Sequence, residues 1–220
     1  MHPACRGQLC LTRVLSRILR RKLSILWMLA PRKLILASGS PRRQQLLREA
    51  GIQFEAYAPD ISEEQRPGEQ PTDYALRLAQ EKAEKVAKRF PLYVVLAADT
   101  IVVVDGQSLG KPNDARDAER MLRLLSGRSH QVTTAVTVIV PGKPAHTNSR
   151  TTEIHFRDIT AREIREYIAT GEPMDKAGAY AIQGGAAPWV VRVEGEYSNV
   201  VGLPLSLVTE MLRTCGFLQS

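Results

Sequence analysis

Lys33–Ala50 reads KLILASGSPRRQQLLREA, and its two halves follow different patterns. Lys33–Ala37 is a continuous apolar run, the mark of a short buried strand. Ser38-Gly39-Ser40-Pro41 breaks that run. Ser40 suits a helix N-cap and Pro41 the first helical position, so Pro41–Ala50 reads as a helix that Gly51 stops. A buried strand feeding a helix through a tight turn is the opening of an α/β fold.

The same alternation continues outward from this stretch. A loop rich in Pro, Glu and Gln covers 59–71. Thr72–Arg89 then has apolar residues at 75, 76, 78, 79, 83, 86 and 87, which is helical spacing. Val94–Ala98 is a second buried strand, expected to end at Asp99. Ile101–Val104, the Asp105-Gly106 turn and Gln107–Leu109 form a tight hairpin. Asp114–Leu125 is helical and closed by Gly127. Val132–Val140 and Asn148–Arg157 are strands, with Pro141-Gly142 opening the turn between them. Thr160-x-x-Glu163 is a capping box for a helix ending at Gly171. Asp175–Pro188, rich in Gly and Ala, reads as loop. Trp189–Val193 is a strand, and Leu203–Thr214 the last helix. Consecutive strands in the middle of an alternating chain imply an α/β protein with a mixed central sheet and flanking helices.

At 220 residues the chain suits one domain with an appendage. Apolar residues at 44% and charged residues at 24% exclude a disordered or collagen-like chain. The net charge of +7 is unevenly spread. Residues 1–27 hold six basic residues and no acid, so the remaining 193 residues carry 24 basic and 23 acidic side chains. A near-neutral body argues against nucleic acid as its partner. Residues 1–31 form a basic extension that reads as an organelle-import segment, a disordered or over-called start, or a surface-binding helix. The body is expected to span 32–220. No run approaches the ~20 apolar residues of a membrane span. Three cysteines, Cys5, Cys10 and Cys215, make no even framework and no CxxC pair. That usage suits a reducing, cytoplasmic compartment, with organelle import as the alternative left by the extension.

Four segments could carry chemistry. A helix N-terminus at Ser40 offers free N–H groups, and Arg42 and Arg43 add planar cationic forks, which together make an anion site. The plainer reading is an ordinary cap with two solvated arginines. Asp99-Thr100, at a strand end facing the cleft of an α/β sheet, could hold Mg²⁺, act as general base, or simply cap a turn. Pro112 keeps Lys111 extended, so its ammonium could reach a phosphate. Lys82 reads equally as a member of a solvated helix face. In 175–184 the small residues permit close backbone approach, and Gln183 can both donate to and accept from a base edge.

In order, the segments LILASGSPRRQQLL, RLAQEKA, AADTIV, LGKP, LSGRSHQV, GEPMDKAGAYAIQG and VVGLPL resemble the Maf family of nucleoside triphosphate pyrophosphatases. The likeness runs from about Leu34 to Leu205. It implies an ITPase-like fold of two lobes around a deep nucleotide-binding cleft, and a homodimer. It implies hydrolysis of a nucleoside triphosphate to the monophosphate and pyrophosphate with a divalent cation, Mg²⁺ or Mn²⁺. Carried over by motif, Ser40, Arg43, Lys82 and Lys111 would bind the triphosphate, and Asp99 would be general base or metal ligand. Glu63 loosely matches a family acid at the metal, with Glu64 an equally available neighbour. Arg42, Thr100 and Gln183 stand where the family's subgroups differ, and together resemble the dTTP/UTP subgroup. The 7-methyl-GTP subgroup tends to carry Trp, Gln and Glu there. The rival expectations are a pyrophosphatase for 7-methyl-GTP or another modified nucleotide, and a catalytically silent nucleotide-binding regulator.

Overall fold

The computed structural model describes residues 33–219. The basic extension 1–31 and its three readings lie outside the described residues, as do Cys5 and Cys10.

Strand β1 is Leu34–Leu36, fully buried, and helix α1 is Pro41–Glu49 with proline in its first turn. After the two-residue strand β2 (Glu55–Ala56), helix α2 runs from Pro71 to Arg89. Its buried residues, Ala75, Leu78, Ala79, Lys82, Ala83 and Val86, recur at three- and four-residue steps. Strand β3 (Val94–Val104) turns through Asp105-Gly106 into β4 (Gln107–Leu109). Both turn residues have positive φ, 51° and 75°, the backbone that a two-residue hairpin of matching twist requires. Helix α3 (Ala115–Leu125) is capped by Asp114, whose side chain accepts from the Asp117 N–H. Strands β5 (Ser129–Ile139) and β6 (His146–Phe156) follow. Helix α4 (Ala161–Ala169) begins at the expected Thr160/Glu163 capping box. Strand β7 is Val190–Glu194, and helices α5 (Tyr197–Val201) and α6 (Leu205–Thr214) close the chain.

The strands form one mixed sheet in the order β2-β1-β3-β5-β6-β7, with β4 also on β3. β2, β1 and β3 are parallel and the other pairs antiparallel. Two expectations are corrected. First, β3 does not end at Asp99. Antiparallel β5 offers a partner to every residue from Val95 to Val103, so the backbone at Asp99-Thr100 stays extended and the acid sits mid-strand. Second, Asp175–Pro188 is not plain loop. Short 3-10 turns at Glu172–Asp175, Ala177–Ala179 and Ala187–Trp189 fold it tightly, and Ala179–Ile182 are buried. Tyr197–Val201, to which no element is assigned from the sequence, is a short helix.

The other edge of β3 is shared. β1 pairs with Val94–Leu96, and β4 pairs with Val102–Val104. Between them, residues 97–101 have no neighbouring strand on that side among the described residues, and the sheet has a notch. β3 alternates across this notch as any strand must. Ile35, Ala37, Val95, Ala97 and Ile101 pack on the α2 side, while Leu36, Leu96, Ala98 and Val102 join the larger core on the opposite face. Asp99 therefore faces α2, and Thr100 faces the other layer. Among the described residues no helix is long and apolar enough to cross a membrane.

Candidate active site

A cleft of about 1050 Å³ opens into the notch. All nine residues singled out from the sequence line it: Ser40, Arg42, Arg43, Glu63, Lys82, Asp99, Thr100, Lys111 and Gln183.

On the α2 face the centre is Lys82. It takes a place on the buried stripe of α2, so it is not part of a solvated face. Its Nζ lies 2.6 Å from Asp99 Oδ1 and 2.6 Å from Glu63 Oε1. Lys111 Nζ, from the end of the β3–β4 hairpin, lies 3.6 Å from Glu63 Oε2. Lys82 and Asp99 are only 8% and 7% exposed, whereas Glu63 and Lys111 are exposed at the mouth. Burial raises the Asp99 carboxyl above its ordinary value, although the charges of Lys82 and Arg43 and the Lys82 hydrogen bond oppose it. Burial also pushes Glu63 up, but there the Lys82 hydrogen bond and the charges of Lys82 and Lys111 prevail and leave it below the usual range. The two acids are thus tuned apart, with Asp99 the better proton acceptor.

On the opposite face the centre is Arg43. Its Nε donates to the Gly202 carbonyl at 2.8 Å, Nη1 to Ser38 Oγ at 3.3 Å and Nη2 to Thr100 Oγ1 at 3.0 Å. Thr100 Oγ1 is 3.0 Å from Thr134 Oγ1, and Thr134 donates to the Asn199 carbonyl at 2.9 Å. Burial lowers the Arg43 guanidinium below its ordinary value, against the pull of Asp99 and Glu63. Arg43 is therefore a fixed cation spanning the notch rather than a solvated arm. Ser40 occupies the N-cap position of α1, yet its side chain makes no capping bond, which corrects the capping expectation. Its own N–H donates to Ser38 Oγ at 3.2 Å instead, so the Ser40 hydroxyl stays available to the cleft. The N–H groups of Arg42 and Arg43 in the first helical turn have no intrahelical acceptor.

The far wall is Glu172–Gly185. Glu172 accepts from the Gly185 N–H at 2.9 Å, and Tyr167 Oη accepts from the Ala181 N–H at 3.0 Å. These bonds hold the backbone on both sides of Gln183, whose side chain is exposed to the cleft. Arg42 reaches this end, where its charge acts on Asp175 and Tyr167.

The residues that sequence reasoning left out are Gly202, Thr134 and Asn199, which orient Arg43 and Thr100 from behind. Gly202 lies inside the VVGLPL segment of the resemblance and has φ of 120°, a backbone that favours glycine.

Glu63 and Asp99 supply hard carboxylate oxygens. Among the described residues no group of three or more His, Cys, Asp or Glu side chains comes together. Two carboxylates without further protein ligands fit a magnesium-type ion, which takes its remaining ligands from water and substrate phosphates.

A family model described as "Maf-like protein" matches residues 33–215. A relative from Geobacter sp. (strain M21), named dTTP/UTP pyrophosphatase, is 51% identical over 186 residues, covering 84% of this chain and 96% of the relative. A relative of the same name from Geotalea uraniireducens (strain Rf4) is 50% identical over 193 residues, 87% of this chain and 100% of the relative. Among solved structures, the Staphylococcus aureus Ham1 protein is similar at a TM-score of 0.48 and 14% identity, over 83% of this chain and 99% of that one.

Proposed function

The chain belongs to the Maf-like protein family, and from that premise we propose that its cleft hydrolyses dTTP and UTP to the monophosphate and pyrophosphate. One observation carries the reading. Arg43, Lys82 and Lys111, two tuned carboxylates, a helix N-terminus and an amide with free hydrogen-bonding capacity converge on one notch.

The chemistry needs charge stabilisation more than covalent help. Arg43, Lys82, Lys111, Ser40 and the α1 N-terminus bind the triphosphate, with Arg43 held in advance by Ser38, Thr100 and Gly202. Asp99, with its proton affinity raised by burial, takes the proton of the attacking water. Water oxygen bonds to phosphorus, the α–β bridging bond breaks, and pyrophosphate leaves with the electron pair. Asp99 and Glu63 are also the residues that would hold Mg²⁺ or Mn²⁺. When bound, such an ion neutralises phosphate charge and lowers the pKa of a water molecule. Gln183, on its clamped backbone, offers a donor and an acceptor to the O4 and N3–H edge of thymine or uracil. A base that leaves those groups unpaired is disfavoured. Arg42 and Thr100 complete the dTTP/UTP combination. The homodimer and the 32–220 unit belong to the same reading, and light scattering on the full chain and on residues 32–220 tests them.

Pyrophosphate release from dTTP, UTP, CTP, GTP and 7-methyl-GTP with Mg²⁺ tests the activity. Release from dTTP and UTP, falling about 10²- to 10⁴-fold in Asp99→Asn, is expected. Release from a methylated purine alone would keep the enzyme and sink the base assignment. Nucleotide binding with no release would identify a silent regulator. Gln183→Glu is expected to lower the dTTP:GTP ratio of kcat/KM, and an unchanged ratio removes Gln183 from base recognition.

A further inference from the structure

The carboxylate pair already holds a cation, and that cation belongs to the chain. Lys82 Nζ sits 2.6 Å from one oxygen of each acid, Glu63 Oε1 and Asp99 Oδ1. Lys111 Nζ lies 3.6 Å from the second Glu63 oxygen. Two carboxylates and two ammonium groups make the cluster formally neutral before any ligand arrives. Asp99 and Lys82 are also buried, so the charges at its inner end are poorly screened. Arg43 acts electrostatically on both acids from the other face.

We propose that Lys82 occupies the divalent cation's place in the nucleotide-free cleft, so that the metal enters with the triphosphate and not before it. The inference rests on the reading of Asp99 and Glu63 as the metal-holding acids. A bare dication entering this cluster would give it a net charge of two, with Arg43 adding a further positive charge from the other face. The same ion accompanied by a triphosphate brings at least as much negative charge as positive. The phosphates also offer Lys82 new acceptors. Its four-carbon stem and three rotatable donors let it exchange carboxylate oxygens for phosphate oxygens, which a rigid guanidinium fork could not do as readily. Lys82 would in this way keep two carboxylates together without nucleotide, and move to the phosphates when nucleotide and metal arrive.

Mn²⁺ binding to the full chain, read by the spin-resonance signal of free Mn²⁺, tests this without turnover. Wild type without nucleotide is expected to leave Mn²⁺ free. Wild type with an α,β-methylene analogue of dTTP is expected to take it up. Lys82→Met keeps the stem and removes the charge, and is expected to bind Mn²⁺ without nucleotide at least about tenfold more tightly than wild type. Nucleotide-free wild type that binds Mn²⁺ as tightly as Lys82→Met overturns the proposal. So does a folded Lys82→Met with no gain. If Lys82→Met folds only when Mn²⁺ is added, the metal is replacing the lysine and the proposal stands. If it folds under neither condition, the exposed Lys111→Met decides. It removes one positive charge from the same cluster, so tighter nucleotide-free binding supports the proposal and unchanged binding overturns it. The two readings fail separately. Mn²⁺ uptake with the analogue but no pyrophosphate release would sink the hydrolase and keep this inference. Pyrophosphate release by a protein that binds Mn²⁺ tightly beforehand would do the reverse.

Discussion

Arg43 and Asp99 are neighbours in the cleft because β3 turns successive side chains to opposite faces. Arg43 meets Thr100 on one face, and Lys82 meets Asp99 on the other. Arg43→Lys keeps the charge but cannot span Gly202, Ser38 and Thr100 at once. Its kcat/KM on dTTP is expected to fall about 10- to 100-fold while the chain stays folded. A fall of less than about twofold would mean that the fork is not needed. Gly184 is a second single-residue test. A Cβ there would lie 1.8 Å from Glu172 Oε1, so Gly184→Ala must displace the carboxylate that holds the Gly185 N–H. The expected result is a lower dTTP:GTP ratio of kcat/KM with a smaller change in binding of the triphosphate. Much of this scale was legible. The ordered motifs holding Ser40, Arg43, Lys82, Asp99 and Lys111 pointed to phosphate chemistry, although each residue by itself also had a plain reading. The burial of Lys82 could have been read as well, since position 82 falls between Leu78-Ala79 and Val86 on the apolar stripe of α2. The partners of Arg43 could not, because Gly202 is 159 residues away and only folding brings it near.

At the scale of elements, the segment carrying Glu63 is tied to α2 from outside. Arg77 grips Glu69 with two bonds, Nε to Oε1 at 2.6 Å and Nη2 to Oε2 at 2.7 Å, and also donates to the Glu64 carbonyl at 3.0 Å. Tyr74 Oη donates to the Glu63 carbonyl at 2.5 Å. Arg77→Met is expected to free the segment, lower kcat/KM about tenfold and raise the metal concentration needed for half-maximal rate, with the melting temperature little changed. An unchanged metal requirement would mean that Glu63 is positioned by Lys82 alone. Hydrogen bonding to Arg77 holds Glu69 down to about 2. The carboxylate binds its proton more weakly in the folded chain. The clamp therefore contributes fully above the ordinary glutamate value of 4.5 and is lost as pH falls from there through about 2. The elements themselves were read well where a local rule sufficed: the Ser40-Pro41 helix start, the Asp105-Gly106 hairpin and the Thr160/Glu163 box. The continuity of β3 was missed because Asp is depleted within strands. Here β5 supplies a partner all the way across it.

At the scale of the molecule, the body is held by one large core on the α1 side of the sheet and two small clusters under α2. His130 lies inside the large core, 3% exposed, edge-on to Phe156 and Tyr180, with Nε2 2.8 Å from Tyr180 Oη. Burial, and then the charge of His155, push it down to about 4 from an ordinary value of 6.5. The folded chain keeps this ring neutral while the unfolded chain protonates it. Stability is therefore expected to fall as pH drops below about 6.5, with the loss complete near 4 and on the order of 3 kcal/mol. Urea midpoints between pH 7 and pH 4, compared with those of His130→Gln, check this. The same pH slope in both proteins would place the loss elsewhere.

From the sequence alone came the class of fold, most of its strands and helices, the nine residues of the cleft and the family they resemble. The elements rest on local periods and turn chemistry, which act within a few residues along the chain, and the cleft residues rest on the ordered motifs that resemble the family. The tertiary structure alone decided that β1 and β4 share one edge of β3 and, among the described residues, leave 97–101 without a strand on that edge. That notch lets groups from both faces of a sheet reach one cavity. It arises from pairing between segments far apart in sequence, whose register is chosen by the burial of the whole sheet rather than by any one stretch of it.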